Sequence, residues 1–242
     1  MVKCTLNIED SVAVITFTSS QHDLLSFDAV TELADLLDAI RASSDETSVI
    51  MLTGTDGLFV PDIDRDELVR ISEGEPVSGD ILAWHRVVTA LESLPQPTVA
   101  AIDGQAGGGG SVVALACTFR IASERSVFGP VEFDLGVIGT ETTANLVRLV
   151  GPALGAELLL TGRQLDAPAA KQLGVINEVL ASERFAAQAR DWCQRITALP
   201  LATVFAVKRA VIGSTNVSWD ELLDLQPPNS DLVAAQFQGR HE

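Results

Sequence analysis

Strands that alternate with helices along the chain predict an α/β layer fold with right-handed crossovers. Three stretches carry that prediction. Residues 99–102, Val-Ala-Ala-Ile, form an apolar run that reads as a buried strand. The run leads through Asp103-Gly104-Gln105-Ala106 into four consecutive glycines, Gly107 to Gly110, and then into small apolar residues 112–117 that read as a helix entering the core. Residues 4–8 and 12–17 alternate or run apolar around Glu9-Asp10-Ser11, which is a hairpin signal. Phe27, Val30, Leu33, Ala34, Leu37 and Ile40 fall at three- and four-residue steps, the spacing of an amphipathic helix, with Ser26 as its N-cap.

The remaining elements follow in order. Residues 18–26 are polar and loop-like; 49–52 read as a short buried strand stopped by Thr53-Gly54-Thr55-Asp56-Gly57; 58–64 read as irregular. Residues 66–75 are polar, a mobile helix or loop, and 81–94 read as helix up to Pro95 and Pro97. Past the glycine turn, 120–122 and 126–128 read as short strands, and 129–140, with Pro130, Gly136 and Gly139, as a loop. Helices are expected over 142–150, 156–160 and 167–173, a last strand over 175–180, and long helices over 182–197 and 201–212. The tail from Thr215 is weakly patterned.

Composition narrows the function. The 242 residues are 47% hydrophobic, enough for one sizeable core or one core with a small appendage. Asp and Glu number 33 against 16 Lys and Arg, a formal charge of −17. No basic stripe is available to neutralise nucleic-acid phosphates or an anionic membrane. Cys4, Cys117 and Cys193 are scattered, with no C-x-x-C, which reads as buried thiols in a reducing compartment. Met1-Val2-Lys3 leads straight into strand-like sequence rather than a signal peptide, and no apolar run reaches membrane-spanning length. A cytoplasmic protein is expected.

The glycine turn is the chemical feature. A strand feeding a Gly-rich turn at a helix start leaves backbone N–H groups without intrahelical partners, with the positive end of the helix dipole behind them. Such donors suit a phosphate or an oxyanion, and glycine lets a substrate approach the backbone closely. Neither phosphate-loop nor dinucleotide-fold spacing fits. A tight turn that merely lets helix pack on strand is the other reading.

At residues 97–180 the chain closely resembles the enoyl-CoA hydratase/isomerase (crotonase) superfamily. The resemblance rests on Pro97-Thr98-Val99-Ala100-Ala101-Ile102-Asp103-Gly104, the glycine turn, Ala114-Leu115-Ala116-Cys117 and Arg120-Ile121-Ala122-Ser123. It continues through Phe128-Gly129, Leu135-Gly136-Val137-Ile138 and Leu158-Leu159-Leu160-Thr161-Gly162, and more loosely over nearly the whole chain. It implies a spiral of ββα turns over residues 1–195, with a C-terminal helical region at 196–242 used in packing or trimerisation. It also implies an oxyanion hole of two backbone N–H groups, at Ile63 and Gly109, that polarises an acyl carbonyl so that an enolate can form. Each such donor is worth roughly 3–4 kcal/mol to a transition state. Asp64, Arg65, Gly108 and Val112 fall along the implied substrate site. One scaffold serves many chemistries in this superfamily, so the reaction must be argued from the site.

Departures from the family pattern carry that argument. Where relatives usually have Gly-Ala-Asp, this chain has Asp62-Ile63-Asp64, with Pro61 before it. Hydratases of the family place two glutamates over the substrate. The first of these positions is Val112, which cannot transfer protons, and the second is Glu132. One retained glutamate resembles isomerases and some decarboxylating members, where a single carboxylate shuttles a proton beside a stabilised enolate. Glu141 falls where β-diketone-cleaving members carry an aspartate, and could divide acid and base roles with Glu132 or simply favour the helix N-terminus that follows. None of His22, His85 or His241 matches the histidines those members use; His22 reads as a loop residue, His85 as a helix-face residue and His241 as part of the tail. The lysines are Lys3, Lys171 and Lys208 only, so CoA phosphates would meet little positive charge, which leaves room for a truncated thioester or a non-CoA substrate; an acidic carrier protein would be repelled unless Arg65, Arg70 or Arg86 form a local patch.

The reading that results is an enzyme whose oxyanion hole (Ile63, Gly109) stabilises the enolate of an acyl thioester, carried by CoA or a carrier protein, while Glu132 moves the proton. Isomerisation or a lyase or decarboxylase step is favoured over simple hydration. A carbon–carbon bond hydrolase of a β-diketone using Glu132 and Glu141 is the first alternative, and a non-catalytic paralogue serving as a binding subunit is the second. No metal or cofactor is expected beyond CoA on the substrate, and the family implies a homotrimer or hexamer.

Overall fold

The computed structural model describes residues 2–18, 24–42, 47–60, 62–75, 82–129 and 139–214. Its elements are β1 (Lys3–Glu9), β2 (Val12–Thr18), α1 (Phe27–Ala42), β3 (Val49–Gly54), α2 (Arg65–Ser72), α3 (Ala83–Ser93), β4 (Thr98–Ile102), β5 (Gln105–Gly107) and α4 (Gly109–Ala116). They continue with β6 (Phe119–Ser123), β7 (Val127–Gly129), α5 (Thr140–Val150), α6 (Pro152–Thr161), β8 (Leu165–Asp166), α7 (Ala167–Gln172), β9 (Glu178–Leu180), α8 (Phe185–Thr197) and α9 (Leu201–Ser214). A six-stranded sheet runs in the order β1-β2-β3-β4-β6-β9, and β5-β7-β8 form a second sheet of three. Only β1 is antiparallel to its neighbour in the large sheet; every later pair is parallel across an intervening helix.

Period-two patterning sorts the core onto the two faces of that sheet. Ala13, Ile15, Phe17, Ile50, Leu52, Ala100 and Ile102 pack with the buried sides of α1, α3 and α4. The alternate residues Val12, Val14, Val49, Met51, Val99, Ala101 and Ile121 pack against Phe185, Ala189 and Cys193 of α8. The hairpin closes as its sequence indicates, with Asp10 and Ser11 both at positive φ (50° and 61°) between the paired Glu9 and Val12, as in a two-residue type I′ turn. Ser26 caps α1 through its Oγ, which accepts from Ala29 N–H at 3.3 Å. All three cysteines are buried and free, and burial pushes each thiol up to about 12.

Of the two readings of 66–75 the helix holds: α2 forms there because Asp64 caps it, accepting from Asp66 N–H at 3.0 Å and Glu67 N–H at 3.4 Å. Three local readings need correction. Residues 105–107 form β5, a strand too short and glycine-rich to show periodicity, and α4 begins earlier than expected, at Gly109. A two-residue strand, β8, also escapes the sequence pattern. Of 175–180 only Glu178–Leu180 is strand; Val175 and Ile176 are buried anchors instead. The loop at 130–138, His22, His241, Pro61 and the tail from 215 lie outside the described residues.

The C-terminal helix α9 is tied to the core by a cation. Lys208 is 4% exposed, and its Nζ donates to Leu91 O at 3.0 Å and Gln96 O at 2.7 Å, at the end of α3. Burial lowers its pKa from 10.5 to about 8. Between these values the unfolded chain keeps the Lys208 proton and the folded chain releases it, so this residue's contribution to stability rises with pH across that window. Lys208→Met leaves two buried carbonyls without this donor and costs about 1–3 kcal/mol. Thermal melts should show the wild-type advantage growing from pH 8 to 10; a gap that shrinks there contradicts the assignment.

Candidate active site

Two backbone segments meet at the glycine turn. The first runs from β5 into α4. Gly108 bridges them at φ 45°, ψ −122°, a conformation open to glycine and closed to ordinary L-residues. Its carbonyl accepts from Ser111 N–H at 2.9 Å, Val112 N–H at 3.2 Å and the buried Ser111 hydroxyl at 2.7 Å. Gly109 and Gly110 therefore stand at the mouth of α4 with N–H groups that find no backbone carbonyl among the described residues. The other end of α4 is held by Arg120, which is 4% exposed. Its guanidinium donates to Cys117 O at 2.7 Å, Ala114 O at 3.3 Å and Val175 O at 2.7 Å.

The second segment, residues 55–64, is stitched along the first. Phe59 N–H donates to Gln105 O at 3.0 Å, and Gln105 N–H to Gly57 O at 3.2 Å. A Cβ on Gly104 would lie 1.8 Å from Gly57 O, and one on Gly110 would lie 2.9 Å from Val60 O. Glycine at these positions is what lets the two backbones touch. Leu25 then pins the far end, with its N–H donating to Asp62 O at 2.7 Å and its carbonyl accepting from Asp64 N–H at 3.1 Å. Ile63 is held between these bonds.

The result is a small polar focus. Asp62 Oδ1 accepts from Ile63 N–H at 2.8 Å, and a Cβ on Gly108 would fall 1.6 Å from the same oxygen. One carboxylate oxygen thus touches the residue expected to supply one oxyanion donor and the neighbour of the residue expected to supply the other. Asp62 was not among the residues that sequence reasoning selected. Its substitution for the family's glycine was the available signal.

The other candidates separate. Asp64 is committed to capping α2, and Arg65 opens that helix. Val112 lies half-buried on α4 against the main core. Glu132 falls outside the described residues. Glu141 occupies the first turn of α5, which packs on α4, and its Oε1 lies 3.9 Å from His85 Nδ1 on α3. Helices α3 and α5 are joined lower down, where Asn145 Nδ2 donates to Glu92 Oε1 at 2.9 Å and Arg148 Nη1, which also donates to Asn145 Oδ1 at 3.0 Å, lies 4.0 Å from the same Glu92 oxygen. The helix-face reading of His85 holds, but its approach to Glu141 was invisible in the sequence. A basic patch is weakened by pairing: Arg86 bridges Asp35 at 2.7 Å and Asp38 at 2.8 Å, and Arg70 lies 3.8 Å from Glu67.

With this geometry in view, the comparison with known proteins is decisive for family. The sequence profile of the enoyl-CoA hydratase/isomerase family matches residues 7–226. The chain belongs to the enoyl-CoA hydratase/isomerase family. It is 30% identical to a probable mitochondrial enoyl-CoA hydratase of Dictyostelium discoideum, over 90% of this chain and 79% of that one. It is 31% identical to 4-chlorobenzoyl coenzyme A dehalogenase-2 of an Arthrobacter species, over 84% of this chain and 75% of that one. The crystal structure of an enoyl-CoA hydratase subunit I from Geobacillus kaustophilus superposes with a TM-score of 0.85 at 26% identity, covering 97% of this chain and 90% of that one. The crotonase fold follows, with its helical C-terminal region. Relatives within this one family bear the names of different reactions, so membership in the enoyl-CoA hydratase/isomerase family leaves the reaction to be argued from the site.

Proposed function

We propose that this family member binds an acyl thioester, with CoA as the natural carrier, and stabilises its enolate between Ile63 N–H and Gly109 N–H while Glu132 moves a proton. One observation carries the reading. Asp62 Oδ1 accepts from Ile63 N–H at 2.8 Å and lies against Gly108, next to a Gly109 N–H with no backbone partner among the described residues, which supports this junction as a place for an oxygen that gains charge. Preorganised donors of this kind act most strongly where charge develops in the transition state. Val112 supports isomerisation or a lyase or decarboxylase step over hydration, because its side chain can neither activate water nor deliver a proton. The chemistry calls for no cofactor beyond the CoA of the substrate, and a cytoplasmic setting suits the buried free thiols. Exposed apolar side chains at Leu199, Val207 and Val211, in and before α9, support assembly through the C-terminal region as a trimer or hexamer.

The test is a mass-spectrometric product screen of wild type and Glu132→Gln against 2-enoyl-, 3-enoyl- and malonyl-type CoA thioesters, beside cyclic β-diketones. The expected result is a thioester consumed by wild type and spared by Glu132→Gln, its mass unchanged for an isomerase or reduced by carbon dioxide for a decarboxylase. A gain of water on the thioester contradicts the preference against hydration. The approach of His85 to Glu141 favours one second reading, a β-diketone hydrolase in which this pair and Glu132 share acid and base roles. That reading predicts a diketone gaining water, with the activity lost in Glu141→Gln.

A further inference from the structure

The Asp62 carboxylate lies on one of the two donors proposed for the thioester oxygen. Its Oδ1 already takes Ile63 N–H at 2.8 Å and lies over Gly108, where even a methyl group would collide with it at 1.6 Å. A carboxylate is a stronger acceptor than a neutral thioester carbonyl, because charge-assisted hydrogen bonds exceed neutral ones. The ground-state carbonyl therefore cannot share this position; it must displace the side chain. The main chain is unaffected by that exchange, since Leu25 bonds hold Asp62 O and Asp64 N–H on either side of Ile63.

We infer that Asp62 is a specificity-determining residue that occupies the oxyanion position in the resting enzyme and lowers its affinity for acyl thioesters. The inference rests on the thioester reading proposed above. When only a fraction of molecules has the site open, apparent affinity falls by that fraction. Substrates with enough binding energy elsewhere in the acyl group displace the carboxylate, and weakly held thioesters do not. Asp62 thereby narrows the range of thioesters accepted without touching the acyl chain.

The test uses acetoacetyl-CoA, whose enolate absorbs in the near ultraviolet, titrated into the full chain and into Asp62→Ala and Asp62→Asn, with thermal melting to show that each variant is folded. Asp62→Ala is expected to bind the probe at least tenfold more tightly than wild type, and Asp62→Asn, neutral but of the same shape, by an intermediate factor. Binding by wild type that neither folded variant improves overturns the role of Asp62 and leaves the thioester reading standing. A purely structural role in the 62–64 turn predicts the opposite sign, weaker binding together with a lower melting temperature. If neither wild type nor either variant binds the probe, the thioester reading itself fails. Binding gained only in the variants supports both.

Discussion

Gly108→Ala should reduce kcat/KM for the responsive thioester by about 10²- to 10³-fold, the size of losing one oxyanion donor, while the protein still folds. Two separate effects combine. At φ 45° and ψ −122° any Cβ is strained, at a cost of order 1–3 kcal/mol. The new methyl would also project to within 1.6 Å of the point that Asp62 Oδ1 now marks, which is the proposed oxyanion position. Asp62 can turn aside to relieve the collision, so stability falls modestly, by roughly 2–4 °C in melting temperature per kcal/mol for a chain of this size. The methyl stays in the site whatever Asp62 does. Gly108→Ala combined with Asp62→Ala should consequently recover neither turnover nor the stability lost to backbone strain. Steady-state kinetics of the two variants decide the matter: activity of Gly108→Ala within a few-fold of wild type would place the oxyanion elsewhere.

Arg120→Met should be the most destabilising single change of a charged residue, at roughly 3 kcal/mol or more. The guanidinium serves three buried carbonyls, those of Ala114, Cys117 and Val175, and each acceptor left unpaired costs about 1–3 kcal/mol. Methionine returns part of that loss, because the cation is itself costly to bury and its pKa is held below the usual arginine value by desolvation. The net effect still falls on the carbonyls, which methionine cannot reach with a donor. Arg120→Lys should lie between the two, since one ammonium does not reproduce a planar fork of donors. Urea unfolding of the three proteins measures the series, and a midpoint for Arg120→Met close to wild type would show that water replaces the lost donors. The consequence for the site is indirect: Arg120 fixes the C-terminal end of the helix whose N-terminal end presents Gly109.

The two largest effects differ in how visible they were beforehand. Gly108 could be picked out from sequence because a strand running into four glycines is a local backbone event, and its chemistry follows from unpaired N–H groups on adjacent residues. Arg120 looked like part of a strand motif. Its partners lie 3 to 55 residues away, and nothing in the local pattern reports a cation folded back under a helix end. Glu67 makes the same point, for it accepts from Phe27 N–H at 2.8 Å and so caps α1 from α2, 40 residues away. In the sequence it is one acid within the polar run 66–75.

By itself the sequence determined the α/β alternation, the hairpin turn at Asp10 and Ser11, the amphipathic face of α1, the strand–glycine–helix unit and the family to which these belong. Each of these is written in hydrophobic period or in backbone chemistry within a few residues, where neighbours in the chain are neighbours in space. Only the tertiary structure decided that Asp62 lies against Gly108, that His85 meets Glu141 and that Lys208 ties the last helix to the end of α3. Those contacts arise when packed elements bring distant segments together. Burial then gives a single carboxylate or ammonium an influence that its place in the chain does not reveal.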